Sequence, residues 1–132
     1  MAQSENTISL DLSLYVAKEF KFTKENIDDL MVAALEGGIN YWAVKAIKHK
    51  EPTEDLKNVN MASDYISRGG ELIIVTIDGE KLPLNHENFM KGLEMVIRDL
   101  GSNDAEEFMD NHDADTADQI IQYALFNEIV YC

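Results

Sequence analysis

The apolar residues of this chain repeat with two different periods, and this change of period limits its fold more than any other feature. Alternate residues are apolar over 8–16, as in a strand with one buried face. The Asp78-Gly79 pair between two β-rich segments predicts a hairpin. Three segments have apolar residues at helical spacing, namely Ile27, Leu30, Met31, Ala34 and Leu35, then Phe89, Leu93, Val96, Ile97 and Leu100, then Ala117, Ile120, Ile121, Ala124 and Leu125. These patterns predict an α+β fold, with a largely antiparallel sheet of about five strands and three longer helices packed on one face.

Polar residues and glycines mark where the elements begin and end. The expected helix caps are Thr23, Asn85 and a capping box of Thr116 with Gln119. Gly37-Gly38 and Gly69-Gly70 each follow a helical segment, so we expect them to end it in the left-handed conformation. The other segments are predicted as a polar connection over 18–22, strands over 39–49, 71–77, 81–84 and 128–131, a short helix over 61–68, and loops over 49–60 and 102–115. Pro83 places the strand over 81–84 at a sheet edge.

Length and composition suit one domain spanning residues 1–132. The hydrophobic fraction of 45% excludes a disordered chain, and no apolar run reaches the roughly 18 residues of a membrane helix. The first residues lack the basic and apolar regions of a secretory signal. Cys132 is the only cysteine, which rules out an internal disulfide and favours a reducing compartment. We therefore expect a soluble cytoplasmic protein, with its oligomeric state left open.

The charge is strongly acidic and unevenly distributed. The net charge is −14, and no Lys or Arg follows Arg98. The acids closest together in this last part of the chain are Asp104, Glu106, Glu107, Asp110, Asp113, Asp115 and Asp118. Such a surface repels nucleic acids and anionic membranes and attracts basic proteins. The alternative is that acidity only keeps the protein soluble.

No residue pattern indicates an enzyme, a cofactor or a metal centre. Cys132 is terminal with no histidine close in sequence, and no serine lies in a G-x-S-x-G turn. The segment 110–118 offers oxygen ligands for Ca²⁺ or Mg²⁺, but Asp118 stands where a calcium loop needs glycine. Its acids are better explained as partners of a helix dipole. The glycine pairs follow helices, whereas a phosphate-binding loop precedes one.

Tyr41 and Trp42 lie three and four residues after Gly38. Adjacent strand residues face opposite sides, so one ring is expected to lie outside the core layer of the other. That ring is a candidate anchor for a partner, unless the same chain covers it. Alternatively, the two rings with Arg68 and Gln122 would line a pocket for a nucleotide-like molecule, by stacking and hydrogen bonding.

Three long stretches carry a resemblance to a known group of proteins. They are IDDLMVAALEGGINYWAVKA (27–46), ASDYISRGGEL (62–72) and ADQIIQYALFNEIVY (117–131). They resemble a family of small acidic uncharacterised proteins of phages and other mobile elements of Firmicutes-like bacteria, including its EGGxxYW turn. The resemblance implies an accessory protein acting inside a bacterial cell. The resemblance assigns no catalytic or binding residue in this chain.

In that context, the acidity predicts an inhibitor of a host defence system. Small acidic accessory proteins often act this way, some by occupying the nucleic-acid groove of a nuclease. The expected partner is a basic bacterial protein such as a CRISPR effector or a restriction enzyme. The predicted contact surface is the seven acids over 104–118, assisted by Tyr41 and Trp42, with carboxylates replacing phosphates.

Overall fold

The computed structural model describes residues 7–11, 19–53 and 61–132, with only the backbone described at 7–11 and 19. Strands β1 (Thr7–Asp11) and β2 (Glu19–Thr23) form an antiparallel pair, in which Thr7 lies opposite Thr23. The strand expected over 8–16 is described only as far as residue 11. The polar connection expected over 18–22 is wrong, because Phe20 and Phe22 are buried at alternate positions and make this segment a strand.

A separate antiparallel sheet has the strand order β3-β4-β5. Its strands are β3 (Ala43–Lys50), β4 (Glu71–Thr76) and β5 (Lys81–Leu84). The predicted hairpin is present, since the Thr76 amide donates to the Glu80 carbonyl at 2.9 Å across Asp78 and Gly79. Pro83 lies in β5 at an edge, as expected.

Helical segments make up most of the rest of the described chain. They are α1 (Lys24–Ala33), a π-helical turn (Ala34–Gly38), two 3-10 turns (Ala62–Asp64 and Ile66–Arg68), α2 (His86–Leu100), α3 (Ala105–Asn111) and α4 (Ala114–Phe126). The α+β class is therefore confirmed. The expectation of one sheet with about five strands and three helices is wrong, because the strands divide between two sheets and the segment 102–115 contains α3. Asp104 caps α3, whose Phe108 is buried, so this segment is more ordered than a loop.

The helix ends follow the expected chemistry in most places. Thr23 and Asn85 are N-caps, as predicted, and Gly69 and Gly101 take the left-handed conformation after their helices. The capping box of Thr116 with Gln119 is wrong. Asp113 caps α4, and its Oδ1 accepts a hydrogen bond from the Thr116 amide at 2.9 Å.

The buried faces of the helices and of the larger sheet meet in one hydrophobic cluster. Leu72 and Ile74 of β4 join it on one side, and the apolar stripes of α1, α2 and α4 supply most of the remainder. Helices α2 and α4 cross at Gly92, where a side chain would collide with the Ile120 carbonyl. Of the helices described, none is both long and apolar enough to cross a membrane.

Gly38 has a role that the sequence did not predict. Neither Gly37 nor Gly38 has a positive φ, so the left-handed termination expected of this pair is wrong. A Cβ at residue 38 would lie 2.5 Å from the Ala114 carbonyl oxygen and 3.3 Å from the Asp118 amide. The missing side chain therefore lets the π-helical turn lie against the first turns of α4.

The two adjacent glycines make a matched pair of substitutions. We expect Gly38→Ala to lower the free energy of unfolding by about 1–3 kcal/mol, because its methyl group overpacks this contact. Gly37→Ala has open space around its Cβ. It should leave stability unchanged or raise it by up to about 1 kcal/mol, since alanine restricts the unfolded chain. Urea unfolding followed by Trp42 fluorescence measures both, and equal effects would contradict the close approach at Gly38.

Candidate functional site

Helix α4 has a polar stripe in addition to its buried apolar one. Asp115, Asp118, Gln119 and Gln122 are spaced i, i+3, i+4 and i+7 and therefore share one side of the helix. This stripe forms one wall of an open pocket of about 530 Å³. The described residues that line it are Tyr41, Asp115, Asp118, Gln119, Gln122, Ile129, Tyr131 and Cys132. The pocket thus joins the turn before β3, helix α4 and the C-terminal segment.

The carboxylate of Asp118 connects these three parts of the chain. Its side chain is 7% exposed. The Tyr41 hydroxyl donates to its Oδ2 at 2.6 Å, and the Trp42 Nε1–H donates to its Oδ1 at 2.8 Å. Gln122 Nε2 donates to the same Oδ1 at 3.0 Å. A buried carboxylate is thus held by three uncharged donors, and none of the ion pairs between described residues includes it.

Gln122 holds the C-terminal segment in the way a neighbouring strand would. Its Oε1 accepts from the amides of Val130 and Tyr131, each at 2.8 Å, and its Nε2 donates to the Tyr131 carbonyl at 3.0 Å. The strand expected over 128–131 is wrong for this reason. The backbone there is paired with a fully buried side-chain amide and not with another strand.

Aromatic stacking completes the attachment. The rings of Trp42 and Tyr131 are parallel within 2°, with centroids 5.1 Å apart, and Phe126 packs against both. The Tyr131 hydroxyl donates to Asp78 Oδ2 at 3.1 Å. Burial, and then the hydrogen bond to Asp78, raise the pKa of Tyr131. These contacts fix Tyr131, a residue of the pocket lining, between the rings of Trp42 and Phe126 and the hairpin turn.

Tyr41 is half exposed, but its hydroxyl is hydrogen-bonded within the chain. The ring surface contributes to the 49% exposure, while the hydroxyl oxygen lies 2.6 Å from Asp118 Oδ2 and 3.2 Å from the Tyr131 carbonyl oxygen. Burial of the hydroxyl, and then its hydrogen bond to Asp118, raise the pKa of Tyr41 to about 12. Tyr41 is therefore neutral at ordinary pH, and it is a half-exposed residue of the pocket lining.

The other predicted acids lie at the N-cap and within α3, at the N-cap of α4 and in the first turn of α4. Asp104, Glu106, Glu107, Asp110, Asp113 and Asp115 are all exposed, and we call this set the acidic face. Asp104 Oδ1 accepts from the Glu107 amide at 2.8 Å, so it caps α3 as Asp113 caps α4. Hydrogen bonds from the backbone and hydroxyl of Thr116 lower the pKa of Asp113. The acidic face is therefore carried on ordered, capped helices.

The structure brings together some of the residues that the sequence singled out. Tyr41 and Gln122 line the pocket, and Trp42 lies beneath it, fully buried. Arg68 is not among the lining residues, because its Nη1 donates to Asp28 Oδ2 at 3.0 Å. The expectation that the two rings do not share one core layer agrees with the structure, since Trp42 is fully buried and Tyr41 is half exposed. The reason given for it was wrong, since both rings precede β3 and lie in a turn.

Sequence reasoning did not include the other pocket residues, Gln119, Ile129, Tyr131 and Cys132. Gln119 takes no part in the cap of α4, which Asp113 and Thr116 form. The i, i+3, i+4, i+7 polar spacing along α4 was a signal that identifies it as part of a second helix face. The last three residues had no such signal, because their positions follow from pairing with Gln122.

Neither the local chemistry nor similarity to known proteins assigns a ligand. In the part of the chain that the structure describes, no three His, Cys, Asp or Glu side chains are grouped as metal ligands. No protein-family model, curated protein or solved structure matches this chain. The resemblance to phage proteins therefore stays a prediction, and the function has to be argued from the pocket and the acidic face.

Removing the Asp118 carboxylate tests how much the structure depends on it. We expect Asp118→Ala to lower the free energy of unfolding by about 2–4 kcal/mol, because the buried Trp42 indole loses its acceptor and the buried Gln122 amide loses one of its acceptors. Asp110→Ala, at an exposed position on α3, should stay within about 0.5 kcal/mol of the parent. Denaturant titration measures both. A loss for Asp118→Ala no larger than for the control would show that the network contributes little.

The raised pKa of Tyr41 predicts a loss of stability at alkaline pH. The folded state keeps the phenol protonated to about pH 12, whereas the unfolded chain releases the proton near its ordinary pKa of 10. The contribution of the Tyr41 proton to the free energy of unfolding is fully present below about pH 10. It is lost as the pH rises towards 12. Tyr41→Phe has no such proton, so its free energy of unfolding should fall less steeply with pH in this window. Parallel curves for the two proteins would contradict the prediction.

Proposed function

We propose that this chain is a non-enzymatic inhibitor that binds a basic, nucleic-acid-handling bacterial protein and blocks its nucleic-acid groove. The proposal is carried by the acidic face, in which six exposed carboxylates occur over 104–115 with no Lys or Arg between them. The chain would act in the cytoplasm of a bacterial cell against a defence enzyme of the CRISPR or restriction type. The resemblance to proteins of phages and mobile elements supports this setting.

The charge density of the acidic face is comparable to that of a nucleic acid strand. With a rise of about 1.5 Å per helical residue and about 3.3 Å at the extended residues Asp104, His112 and Asp113, the segment from Asp104 to Asp115 spans at most roughly 22 Å. One strand of B-DNA carries roughly six phosphates over that length, at about 3.4 Å each. Six carboxylates on two short helices therefore provide a similar number of negative charges to the Lys and Arg side chains of a groove.

The acidic face is also ordered before any partner binds. Helix caps at Asp104 and Asp113 fix the start of both helices, and buried Phe108 holds α3 against the core. A preformed surface avoids much of the entropy cost that a disordered acidic tail would incur on binding. Glu106 and Asp110 cap no helix and take part in no ion pair with a described residue, so they can face a partner without disturbing the fold.

Binding of a small ligand is a second candidate, favoured by the 530 Å³ pocket. Its volume is within the range of small-molecule sites. The lining argues against a nucleotide-like ligand, because the described residues that form it include Asp115 and Asp118 but no Lys or Arg. Phosphate groups would be repelled there. A cationic ligand fits this chemistry better than an anionic one.

Capture from a bacterial lysate, followed by competition with nucleic acid, tests the inhibitor proposal. The tagged chain should retain a nucleic-acid-binding enzyme at low salt and displace labelled nucleic acid from the purified enzyme. Affinity should fall about tenfold or more between about 50 and 200 mM salt. Glu106→Gln with Asp110→Asn should weaken binding about fivefold or more, while leaving the folded structure intact.

A matched control separates the acidic face from net charge alone. Asp29→Asn with Glu87→Gln also removes two negative charges, but from exposed positions on α1 and α2. This variant should bind as the parent does. If both double variants weakened binding of the enzyme equally, the effect would come from net charge and not from the acidic face. Retention of no nucleic-acid-binding protein would refute the proposed function.

A further inference from the structure

The pocket beside Tyr41 contains a charge that lacks a counter-charge. Asp118 is more than nine-tenths buried, yet its hydrogen-bond donors are a phenol, an indole and an amide. Buried carboxylates are ordinarily paired with a cation, because desolvation of an isolated charge is costly. Among the described residues, none of the ion pairs supplies that cation. We propose that the pocket receives the guanidinium group of an arginine side chain from the protein partner.

The Asp118 carboxylate has hydrogen-bonding capacity left for this guanidinium. An ionised carboxylate offers about four acceptor positions. Two donors lie on Oδ1 and one on Oδ2, so Oδ2 can accept another hydrogen bond. Asp115 lies three residues earlier on the same side of α4, with its carboxylate exposed in the pocket lining. The two carboxylates together match the several N–H donors of an arginine better than the three of a lysine.

The rest of the lining suits the other parts of an arginine side chain. The half-exposed ring of Tyr41 offers a face on which a planar guanidinium stacks. Ile129 and Tyr131 supply apolar surface for the aliphatic stem. A metal ion fits less well, because within the described residues no group of three candidate metal ligands occurs.

The position of the pocket identifies the source of the arginine. Asp115 belongs both to the pocket lining and to the acidic face, so the two surfaces are continuous. A basic protein that covers the acidic face would bring its arginines next to the pocket opening. The inference therefore rests on the proposed function, and it adds a defined receptor site to a contact that otherwise depends on charge alone.

Trp42 provides a direct probe of this site. It is the only tryptophan, and its indole N–H donates to Asp118. The Trp42 indole N–H therefore gives a unique signal in a ¹H–¹⁵N spectrum. This group lies next to the proposed contact. The titrants are a capped Gly-Arg-Gly peptide and its citrulline counterpart, which keeps the shape but removes the charge. We expect the arginine peptide to shift the Trp42 signal with an affinity at least about fivefold higher than the citrulline peptide.

Two single variants localise the binding. Asp115→Asn, at an exposed position of the lining, should weaken the arginine peptide about threefold or more without loss of folded structure. Asp110→Asn, on the acidic face but outside the lining, should leave the peptide titration unchanged. Equal binding of the two peptides, no response of the Trp42 signal, or equal effects of the two variants would each overturn the inference.

The two proposals fail in different ways. In one case the chain retains a nucleic-acid-binding enzyme and the Glu106→Gln, Asp110→Asn variant weakens that binding, but the arginine peptide does not shift the Trp42 signal. The inference is then overturned and the proposed function stands. If the peptide binds at Asp115 but no nucleic-acid-binding enzyme is retained, the pocket is supported and the proposed function is refuted.

Discussion

The buried carboxylate of Asp118 is the interaction on which the arrangement of this chain most depends. It joins the turn before β3 to α4 through Tyr41 and Trp42, across 77 and 76 residues of sequence. It also binds Gln122, whose side-chain amide holds the C-terminal segment. A single charge thus organises three separate segments around one pocket. Its cost is desolvation, and the three hydrogen bonds act against that cost.

Close approaches at two glycines make that arrangement possible. Gly38 lets the π-helical turn lie against the start of α4, and Gly92 lets α2 cross α4 at short distance. Both contacts bring backbone against backbone, where a single methyl group would force the helices apart. The first contact sets the distance between the turn that carries Tyr41 and Trp42 and the helix that carries Asp118. The glycines therefore position the pocket, although neither touches it.

Helices α3 and α4 accommodate the uneven charge of the chain. Asp104 and Asp113 occupy N-caps, where the backbone amides and the helix dipole favour a negative charge. The remaining carboxylates of the acidic face are exposed, so they are solvated and repel one another only weakly. Asp118 is the exception, since it points into the fold and lacks a counter-charge among the described residues. This contrast links the acidic face, as a contact surface, to the pocket, as a specific receptor site.

The sequence by itself determined the features that depend on neighbouring residues. The apolar stripes of α1, α2 and α4, the caps at Thr23 and Asn85, and the hairpin with its edge strand all follow from local periodicity and turn chemistry. Tertiary structure alone decided the division of the strands into two sheets, the contact role of Gly38 and the meeting of Trp42 with Asp118. These depend on distant segments that pack together, and a local pattern does not specify which distant partner a residue will meet. The acidic face is evident in the composition, but its placement on capped helices depends on the tertiary contact that buries Phe108 in the core.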